Sequence, residues 1–444
     1  MSDAELIARL ERDGVRWVNV AFLDYSGIAR ARAVAAAHVD RVLTRGINFS
    51  RPTVDFNARE EFPPDAAFDL SAPDVWARGD PRSYRPLGGD PGRGLLMADL
   101  VDAAGAPWLG CPRTALQRQI ARASERGIAF NAGFEPEAYV FGEAGEQIRL
   151  LGPVEFAGLD GLELFPRFME ALLLELATAG LTVEQWSEEF GPGQIEVNLR
   201  YAPALESADG LVAYRHIFRD VARRHGMIGT FMPKPFEDQV GSGLHVHLSA
   251  VSPDGANLFD DPNDRYGLSP LAQQALAGLM IHAPALTALG ASTVNSYKRF
   301  LPGSWAPTHV AWSYANRAAC VRVPERETAR RIEIRTGDGA CNPYLYLTAI
   351  LAAMLDGTEQ ALELPAEQAG DVGNLDAATL AERGIVALPR TLGEALAALA
   401  CDAVIGEALG PVIAPEYIKV KRSEWDAFNL HVGEWDRDLY LRRY

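Results

Sequence analysis

The sequence predicts an α+β fold in which a small N-terminal domain precedes a larger domain with a curved antiparallel sheet backed by helices. Several short segments alternate between aliphatic and polar residues, which is the period of a half-buried strand. Longer segments between them have the apolar spacing of amphipathic helices. The composition changes near residue 105, and we therefore predict domains at residues 1–105 and 106–444.

Composition excludes several classes of partner. The 444 residues carry a formal net charge of −17, which is the wrong sign for binding nucleic acid phosphates or anionic lipid. We therefore expect neither nucleic acid nor a membrane as a partner. The four cysteines form no CxxC pair, and the N-terminal segment has no apolar signal core. These features predict a reduced, cytoplasmic protein.

The first hundred residues predict a hairpin followed by loops. Residues 16–23 and 28–34 alternate in polarity on either side of a turn, as the two strands of a hairpin do. Residues 52–94 are rich in Pro, Gly, Asp and Arg, so we expect long irregular loops there. Residues 95–101 predict the closing strand of this domain.

Helical spacing dominates the rest of the chain. The predicted helices are residues 113–126, 165–179, 208–225, 269–289 and 344–355. A last amphipathic stretch, residues 423–444, predicts a C-terminal helix.

Four segments each predict a strand with one aliphatic and one polar face, because side chains two residues apart point to the same side. The polar faces carry Glu135 and Glu137; Gln194, Glu196 and Asn198; His245 and His247; and Arg331, Glu333 and Arg335. We expect the four strands to form a single sheet. Helices would cover its aliphatic face, and its other face would line a charged cavity.

Any one of these faces alone is typical of a solvated antiparallel sheet. Together they would place about five carboxylates in one cavity, where they repel one another unless cations are bound. Carboxylate and imidazole ligands suit Mg²⁺ or Mn²⁺, and arginine suits phosphate or carboxylate. The combination favours metal-assisted phosphoryl chemistry over a solvated surface.

Longer stretches around these residues resemble the glutamine synthetase family, in its bacterial type I-like branch. The stretches are residues 134–141 (FEPEAYVF), 188–196 (EEFGPGQIE), 231–249, 295–307, 314–324 and 330–357. They occur in family order. Within the family the chain resembles the γ-glutamyl-amine ligase or γ-glutamylpolyamine synthetase-like branch. The looser N-terminal resemblance implies a β-grasp-like domain.

The resemblance implies ATP as a co-substrate and two divalent cations, Mg²⁺ or Mn²⁺, in each active site. The cation beside glutamate would be held by Glu137, Glu188 and Glu196. The cation at the nucleotide phosphates would be held by Glu135, His245 and Glu333. The family also implies a homo-oligomer of two stacked hexameric rings, in which the loop of residues 45–60 completes a neighbour's site.

The resemblance also assigns the substrate contacts. Arg299 would bind the α-carboxylate of glutamate, near Gly241, and Arg335 would stabilise the γ-carboxylate and its phosphorylated form. Arg317 would act with them in catalysis by neutralising the transferred phosphoryl group. The remaining residues implied at ATP are Tyr201, His247, Ser249, Arg322 and Arg331.

Three positions depart from the family, and all three lie around the substrates. Trp305 stands where glutamine synthetases carry a Glu that closes over ammonium. Ser50 stands at the best match to an Asp that binds ammonium, and Val240 replaces an Asn that helps to hold the amino acid. The sequence therefore predicts a ligase that joins glutamate to an organic amine, with Trp305 and Ser50 at the amine site. The alternatives are a glutamine synthetase that uses ammonia, and a retired family member with a structural or regulatory role.

Overall fold

The computed structural model describes residues 1–89, 92–144, 147–152, 155–325 and 329–444. Its mixture of helices and curled sheets confirms the predicted α+β class. The helices are α1 Asp3–Arg12, α2 Val39–Thr44, α3 Pro112–Ser124, α4 Pro166–Thr178, α5 Ala204–Arg224, α6 Pro270–Gly290, α7 Pro343–Glu359, α8 Ala377–Glu382, α9 Leu392–Cys401, α10 Ala403–Leu430 and α11 Glu434–Tyr440. The strands are β1 Trp17–Leu23, β2 Ala29–Ala35, β3 Ile47–Phe49, β4 Val75–Gly79, β5 Arg85–Pro86, β6 Arg93–Val101, β7 Ala129–Ala144, β8 Gln147–Arg149, β9 Val183–Glu188, β10 Gln194–Leu199, β11 Ala202–Pro203, β12 Met227–Thr230, β13 Leu244–Val251, β14 Trp312–Tyr314, β15 Val321–Val323 and β16 Ile332–Ile334.

The first sheet is built from residues 17–101 and has the strand order β2-β1-β6-β4-β3, with β5 paired to β6. The predicted hairpin is present, because β1 and β2 pair in antiparallel register. One expectation was wrong: β4 lies within the range predicted to be loops. Its alternating burial is clear in the structure, but five residues among Pro and Gly give too short a pattern to recognise. The domain boundary at residue 105 stays a prediction.

The second sheet brings the four predicted polar strands together. Its order is β14-β15-β16-β13-β7-β10-β9, and β8, β11 and β12 also pair with the long strand β7. β7 pairs in antiparallel register with both β13 and β10, so its two flanks carry the histidine strand and the Gln-Glu-Asn strand. The aliphatic residues between the polar ones are buried, as Ile195, Val197, Val246 and Leu248 illustrate. One face of this sheet therefore forms core and the other forms the cavity.

The helices cover the aliphatic side of the second sheet. α6 and α7 pack so closely that a methyl group added at Gly278 would lie 2.0 Å from the carbonyl oxygen of Ala353. The five helices predicted in the middle of the chain are all present within a few residues of their predicted bounds. The C-terminal prediction was wrong in part: α10 ends at Leu430, and α11 begins only at Glu434. Gly433 separates the two helices and acts as the N-terminal cap of α11.

A buried ionic network connects the first sheet to the helices. Arg113, at the start of α3, is 3% exposed and donates to both carboxylate oxygens of Asp209 at 2.9 and 2.8 Å. It also donates to Asp80 at 2.9 Å and to Asp99 at 2.8 Å. The hydroxyl of Tyr344 on α7 donates to Asp209 at 2.7 Å. Residues from α3, α5, α7 and the first sheet are thus held in one arrangement.

Among the described residues, no individual helix combines the length and hydropathy needed to cross a membrane. The pair of residues 392–401 and 403–440 satisfies that test only when joined, and it is bent by 95°.

Candidate active site

A cavity opens on the polar face of the second sheet. Its wall includes residues from all four predicted strands, together with Val240 and Gly241 and the loop around Trp305. The lining residues are Glu137, Phe156, Glu189, Phe190, Gln194, Glu196, Val240, Gly241, His245, Arg299, Ser304, Trp305, Ala306, Arg317 and Arg335. The sheet therefore brings carboxylates, a histidine and arginines into one space, as the alternation predicted.

One metal-ligand set lies where β7, β10 and β13 meet. Oxygen and nitrogen atoms of Glu135, Glu196 and His245 all lie within 4.8 Å of one another. The carboxylate of Glu137 lies beside this set, with its Oε1 3.9 Å from Nε2 of His245. Its Oε2 accepts from the backbone N–H of Gly243 at 2.8 Å, which fixes its orientation.

A second set shares Glu135 and extends towards β16. Ligand atoms of Glu135, His247 and Glu333 lie within 4.8 Å of one another. His245 is also close, because its Nδ1 lies 3.6 Å from Glu135 and 3.8 Å from Glu333. The structure thus brings together the predicted Glu-His-Glu set and adds His247, which the family resemblance had placed at the nucleotide.

The electrostatics of these carboxylates fit bound cations. Burial, followed by the charges of Glu135 and Glu137, raises the pKa of Glu196 to about 9. Burial also opposes ionisation of Glu333, but the neighbouring Arg335 and the two histidines lower its pKa to about 2. The protein alone therefore cannot ionise every carboxylate at neutral pH, whereas oxygen and imidazole donors in this arrangement suit Mg²⁺ or Mn²⁺.

One predicted ligand, Glu188, lies apart from the other members of its set. The carboxylate of Glu188 lies away from the cavity lining, so close to Gly161 that a Cβ on that glycine would be 1.8 Å from its Oε2. Glu188 pairs with Ile195, whose side chain is in the core. The next residue, Glu189, lines the cavity instead, and burial with the charge of Glu137 raises its pKa to about 8. We therefore replace Glu188 by Glu189 in the proposed set.

The predicted arginines surround the acidic cluster. Arg335 is 3% exposed and donates to Oε1 of Glu333, and Arg322 donates to Oε2 of the same carboxylate at 2.7 Å. Nε of Arg331 donates to Nδ1 of His247 at 3.1 Å. Arg317 is exposed at the edge of the cavity. These cations lie beside the acidic cluster, and guanidinium groups are suited to phosphate or carboxylate ligands.

Arg299 is buried in the wall of the cavity, beside Gly243. It donates to the carbonyl oxygens of Thr336 at 3.2 Å and Gly337 at 2.8 Å, and its Nε has no hydrogen-bond partner among the described residues. Gly241 lies directly against it, because a Cβ there would be 2.4 Å from Cγ of Arg299. The guanidinium of Arg299 has an N–H donor without a partner among the described residues, and the glycine beside it has no side chain. Such a group is suited to a carboxylate ligand.

Of the remaining predicted residues, Ser249 and Tyr201 lie on or near β13, whereas Ser50 lies outside the cavity. Ser249 follows His245 and His247 on the same face of β13 and lies opposite Asn131. Tyr201 is 59% exposed, and its Cβ lies near Gly133, the residue opposite His247. Ser50 is exposed in the first sheet's loop region and is absent from the lining of the cavity within this one chain.

Several residues in or beside the cavity were given no individual role from the sequence. Gln194 donates to Oε2 of Glu137 at 3.1 Å, and Asn198 donates to Oε1 of Glu135 at 3.5 Å. Their place on the polar face of β10 was a usable signal. Phe190 lies in the connection between β9 and β10, and Phe156 lies in the connection between β8 and α4. Nothing in a two-residue period points to either residue. A larger cavity of about 590 Å³ between β1, β2 and α5 contains none of the predicted site residues.

Comparison with known proteins decides the family. Residues 109–440 match the glutamine synthetase catalytic domain. The chain belongs to the glutamine synthetase family. Curated glutamine synthetases from Halobacterium salinarum and Thermus thermophilus are 33% and 35% identical to it, over 98% and 99% of this chain and 95% and 99% of theirs. The family resemblance seen in the sequence is thereby confirmed.

Solved structures point to a branch of the glutamine synthetase family. A structure described as a GmaS/ADP complex matches with a TM-score of 0.87 and 32% identity, over 100% of both chains. Apo GmaS matches equally well, and GmaS is a γ-glutamylmethylamide synthetase. A structure described as a novel glutamine synthase homolog matches with a TM-score of 0.84 and 30% identity, over 97% of this chain and 99% of the other. As a glutamine synthetase family member, the chain is an ATP-dependent ligase of a family that uses divalent metals.

Proposed function

We propose that this protein joins the γ-carboxylate of glutamate to an organic amine through a γ-glutamyl phosphate intermediate. One observation carries the proposal. The cavity holds the carboxylates, histidine and arginines needed for phosphoryl transfer. Trp305, however, occupies the loop position at which glutamine synthetases carry a Glu that closes over ammonium. The phosphorylation site is thus retained, and the ammonium site is changed.

The first step makes the carboxylate reactive. A free carboxylate is a poor acyl donor because its leaving group would be oxide. An oxygen of the γ-carboxylate attacks the γ-phosphorus of ATP, the bond to the β-phosphate oxygen breaks, and ADP leaves. This step depends on positioning and on neutralisation of charge.

The residues of the cavity supply both requirements. Glu137, Glu189 and Glu196 are suited to one divalent cation, and a second is suited to Glu135, His245 and Glu333. When bound, such cations would neutralise the negative charge of the phosphate groups. Arg299 orients the α-carboxylate, and Arg335 faces the γ-carboxylate as it is phosphorylated. Arg317, Arg322 and Arg331 neutralise the moving phosphoryl group, and Tyr201 and Ser249 are proposed to contact the nucleotide.

The second step forms the amide. The neutral amine attacks the acyl carbon of γ-glutamyl phosphate, the bond to the phosphate oxygen breaks, and inorganic phosphate leaves. The attacking nitrogen must also lose a proton to a base or to solvent. Ammonium is small and cationic, and a site selective for it needs carboxylates that hold and deprotonate it. An indole instead offers a broad apolar face for a substituent on the nitrogen.

The names of the similar proteins support two acceptors of the γ-glutamyl group, an organic amine and ammonia. The name GmaS belongs to structural neighbours at 32% identity and supports an organic amine. The name glutamine synthetase belongs to relatives at 33% and 35% identity and supports ammonia as the alternative. Trp305 favours the organic amine. A retired, structural role is disfavoured because carboxylate and histidine ligands for both cations are retained.

We further propose a ring-shaped homo-oligomer of two stacked hexamers, in which residues 45–60 of one subunit complete a neighbour's cavity. Family members are typically oligomeric, which supports association. The position of Ser50 outside the cavity of its own chain is compatible with this role. Sedimentation is the test, and an active monomer would contradict the proposal.

The deciding experiment is an amine panel. Phosphate release is measured at saturating glutamate and ATP with ammonium, methylamine, ethanolamine, isopropylamine, aniline and putrescine. We expect an organic amine to give the highest kcat/KM. If ammonium gives the highest value, the protein is a glutamine synthetase. If no amine supports phosphate release at any Mg²⁺ or Mn²⁺ concentration, the retired role gains the stronger support.

A further inference from the structure

Three aromatic rings form a wall at the mouth of the cavity. Phe156 and Phe190 stack face to face, with ring centroids 4.1 Å apart and planes inclined by 4°. The ring of Trp305 meets both edge-on, at 5.2 Å from Phe190 and 6.0 Å from Phe156. Aromatic pairs in these geometries attract one another. The three side chains therefore form one defined surface, which we call the aromatic wall.

The aromatic wall is exposed where a packing cluster would be buried. Phe156 is 45% exposed, Phe190 is 39% exposed and Trp305 is 51% exposed. All three nevertheless line the same cavity as Glu137 and Arg335. Exposed apolar surface next to a charged site marks a ligand-binding surface more often than a structural one.

The loop that carries Trp305 is tied to the glutamate end of the cavity. Trp305 has a φ of 61°, a left-handed conformation that a bulky residue rarely adopts. The preceding residue, Ser304, donates from its hydroxyl to the carbonyl oxygen of Arg299 at 3.1 Å. The wall and the proposed α-carboxylate clamp are thus joined by a short, constrained segment of chain.

We propose that the aromatic wall is the subsite for the substituent of the amine, and that the substrate is a primary monoamine with a compact apolar group. This inference rests on the proposed function. Phe156 and Phe190 act as specificity-determining residues together with Trp305. The nitrogen points to the carboxylates at the inner end of the cavity, and the apolar group contacts the exposed ring faces.

The lining supplied by this one chain favours a monoamine over a polyamine. Phe156, Phe190 and Trp305, with the chain neighbours Ser304 and Ala306 of Trp305, contribute no acidic group to the cavity. The lining carboxylates Glu137, Glu189 and Glu196 lie on or beside the strands that carry the acidic cluster. A second ammonium would lose water at the aromatic wall without gaining a counter-charge. The 4.1 Å stack also leaves no slot between the two phenylalanine rings.

Matched amines and point variants test the inference. Butylamine and putrescine have the same carbon chain and differ in the second ammonium, so wild-type kcat/KM should be higher for butylamine. The ratio of kcat/KM for isopropylamine to that for ammonium should fall about tenfold in Phe190→Ala and in Phe156→Ala, as expected for loss of contact with roughly two methylene equivalents. Phe190→Leu should restore part of this ratio.

Control measurements distinguish failure of the subsite inference from failure of the proposed function. Trp17→Ala removes a tryptophan of similar exposure, 47%, far from the cavity lining and should leave the ratio unchanged. The KM for glutamate and the thermal midpoint verify that the phenylalanine variants are folded. Preference of the wild type for ammonium would overturn the proposed function itself. If the wild type prefers organic amines but the Phe variants keep its ratio, or if putrescine exceeds butylamine, only the subsite inference is overturned.

Discussion

Glu196 lies directly opposite Glu137 across the antiparallel pair formed by β10 and β7, on the face of the sheet that lines the cavity. Direct opposition of two like charges is unfavourable in a sheet, and these two are also partly buried. Protonation of one carboxylate or a cation between the two would relieve this repulsion. The pair is therefore expected to respond to bound metal.

The first prediction is that Mg²⁺ or Mn²⁺ raises the thermal unfolding midpoint of the protein. A ligand present at about 100 times its Kd stabilises the folded state by about 2.7 kcal/mol. Glu196→Gln should lose most of the shift, whereas Glu184→Gln, on the exposed part of β9, should retain it. Glu137→Ala should abolish amide formation with little change in circular dichroism. Full activity after exhaustive chelation would contradict the metal sites.

The second prediction concerns the clamp for glutamate. Gly241→Ala places a methyl group 2.4 Å from Cγ of Arg299 and 2.8 Å from the carbonyl oxygen of Pro233, so the arginine must move. We expect the KM for glutamate to rise at least about tenfold, because misplacement of a charged contact costs on the order of 1.4 kcal/mol or more. The KM for ATP should change little. Gly406→Ala, at a glycine with open space around it and no positive φ, controls for replacement of a glycine.

The third prediction is that a substitution at Trp305 shifts the amine preference of the protein towards ammonium. Trp305→Glu restores a carboxylate to the loop and removes the indole face, so the ratio of kcat/KM for ammonium to that for isopropylamine should rise by about tenfold or more. Steady-state phosphate release with both amines measures the ratio. Trp305→Gln removes the indole without adding charge and should give a smaller rise. An unchanged ranking in Trp305→Glu would mean that Trp305 serves only to pack the loop.

The fourth prediction is a pH-dependent contribution of His282 to stability. Its Nδ1 lies 2.7 Å from Asp402 and its Nε2 lies 3.2 Å from Asp356, so both ring nitrogens face carboxylates. Burial lowers the pKa of His282, but the bonds and charges of Asp402 and Asp356 outweigh it and raise the pKa above 6.5. The stabilisation is therefore fully present below pH 6.5 and is lost as the pH rises through the folded-state value.

Denaturant unfolding across pH 5.5–9 measures this effect. The difference in free energy of unfolding between the wild type and His282→Asn should be largest at the acidic end and should shrink as the pH rises. His38→Asn, at an exposed histidine, should show no such trend. A difference that grows with pH would show that His282 is neutral in the folded protein.

The fifth prediction concerns the buried ionic network. Arg113→Met leaves the carboxylates of Asp209, Asp99 and Asp80 without their shared cation and should destabilise the protein by about 3–5 kcal/mol. Arg82→Met breaks an ion pair whose arginine is 69% exposed and should cost less than about 1 kcal/mol. Denaturant unfolding of both variants provides the comparison. Equal effects would mean that the network contributes little beyond its surface pair.

The charged face of the second sheet could be predicted because its signal is local. Each of the four segments repeats a polar residue every second position, and the pairing of β7, β10, β13 and β16 then brings the residues together. His245 opposite Glu135 and Glu196 opposite Glu137 follow from that pairing alone. The family resemblance added the roles of these residues.

Features set by turns could not be predicted in the same way. Glu188 and Glu189 are adjacent at the end of β9, and the turn to β10 decides which of them faces the cavity. The break between α10 and α11 consists of three non-helical residues, His431 to Gly433, within an amphipathic stretch. The stacking of Phe156 on Phe190 joins residues 34 positions apart, in segments without a periodic pattern.

Most carboxylates of the cavity lie on strands, whereas its aromatic residues lie on connecting segments. This arrangement has an evolutionary consequence. Glu135, Glu137, Glu196 and Glu333, four of the carboxylates proposed to bind metal, lie on strands. A one-residue insertion there would turn every charged side chain into the core, so these segments are expected to resist insertion and deletion. Phe156, Phe190 and Trp305 instead lie on connecting segments, where substitution leaves the pairing of the sheet intact. A descendant of this protein can therefore acquire a new acceptor by exchanging a few loop residues while the phosphorylating machinery is inherited unchanged.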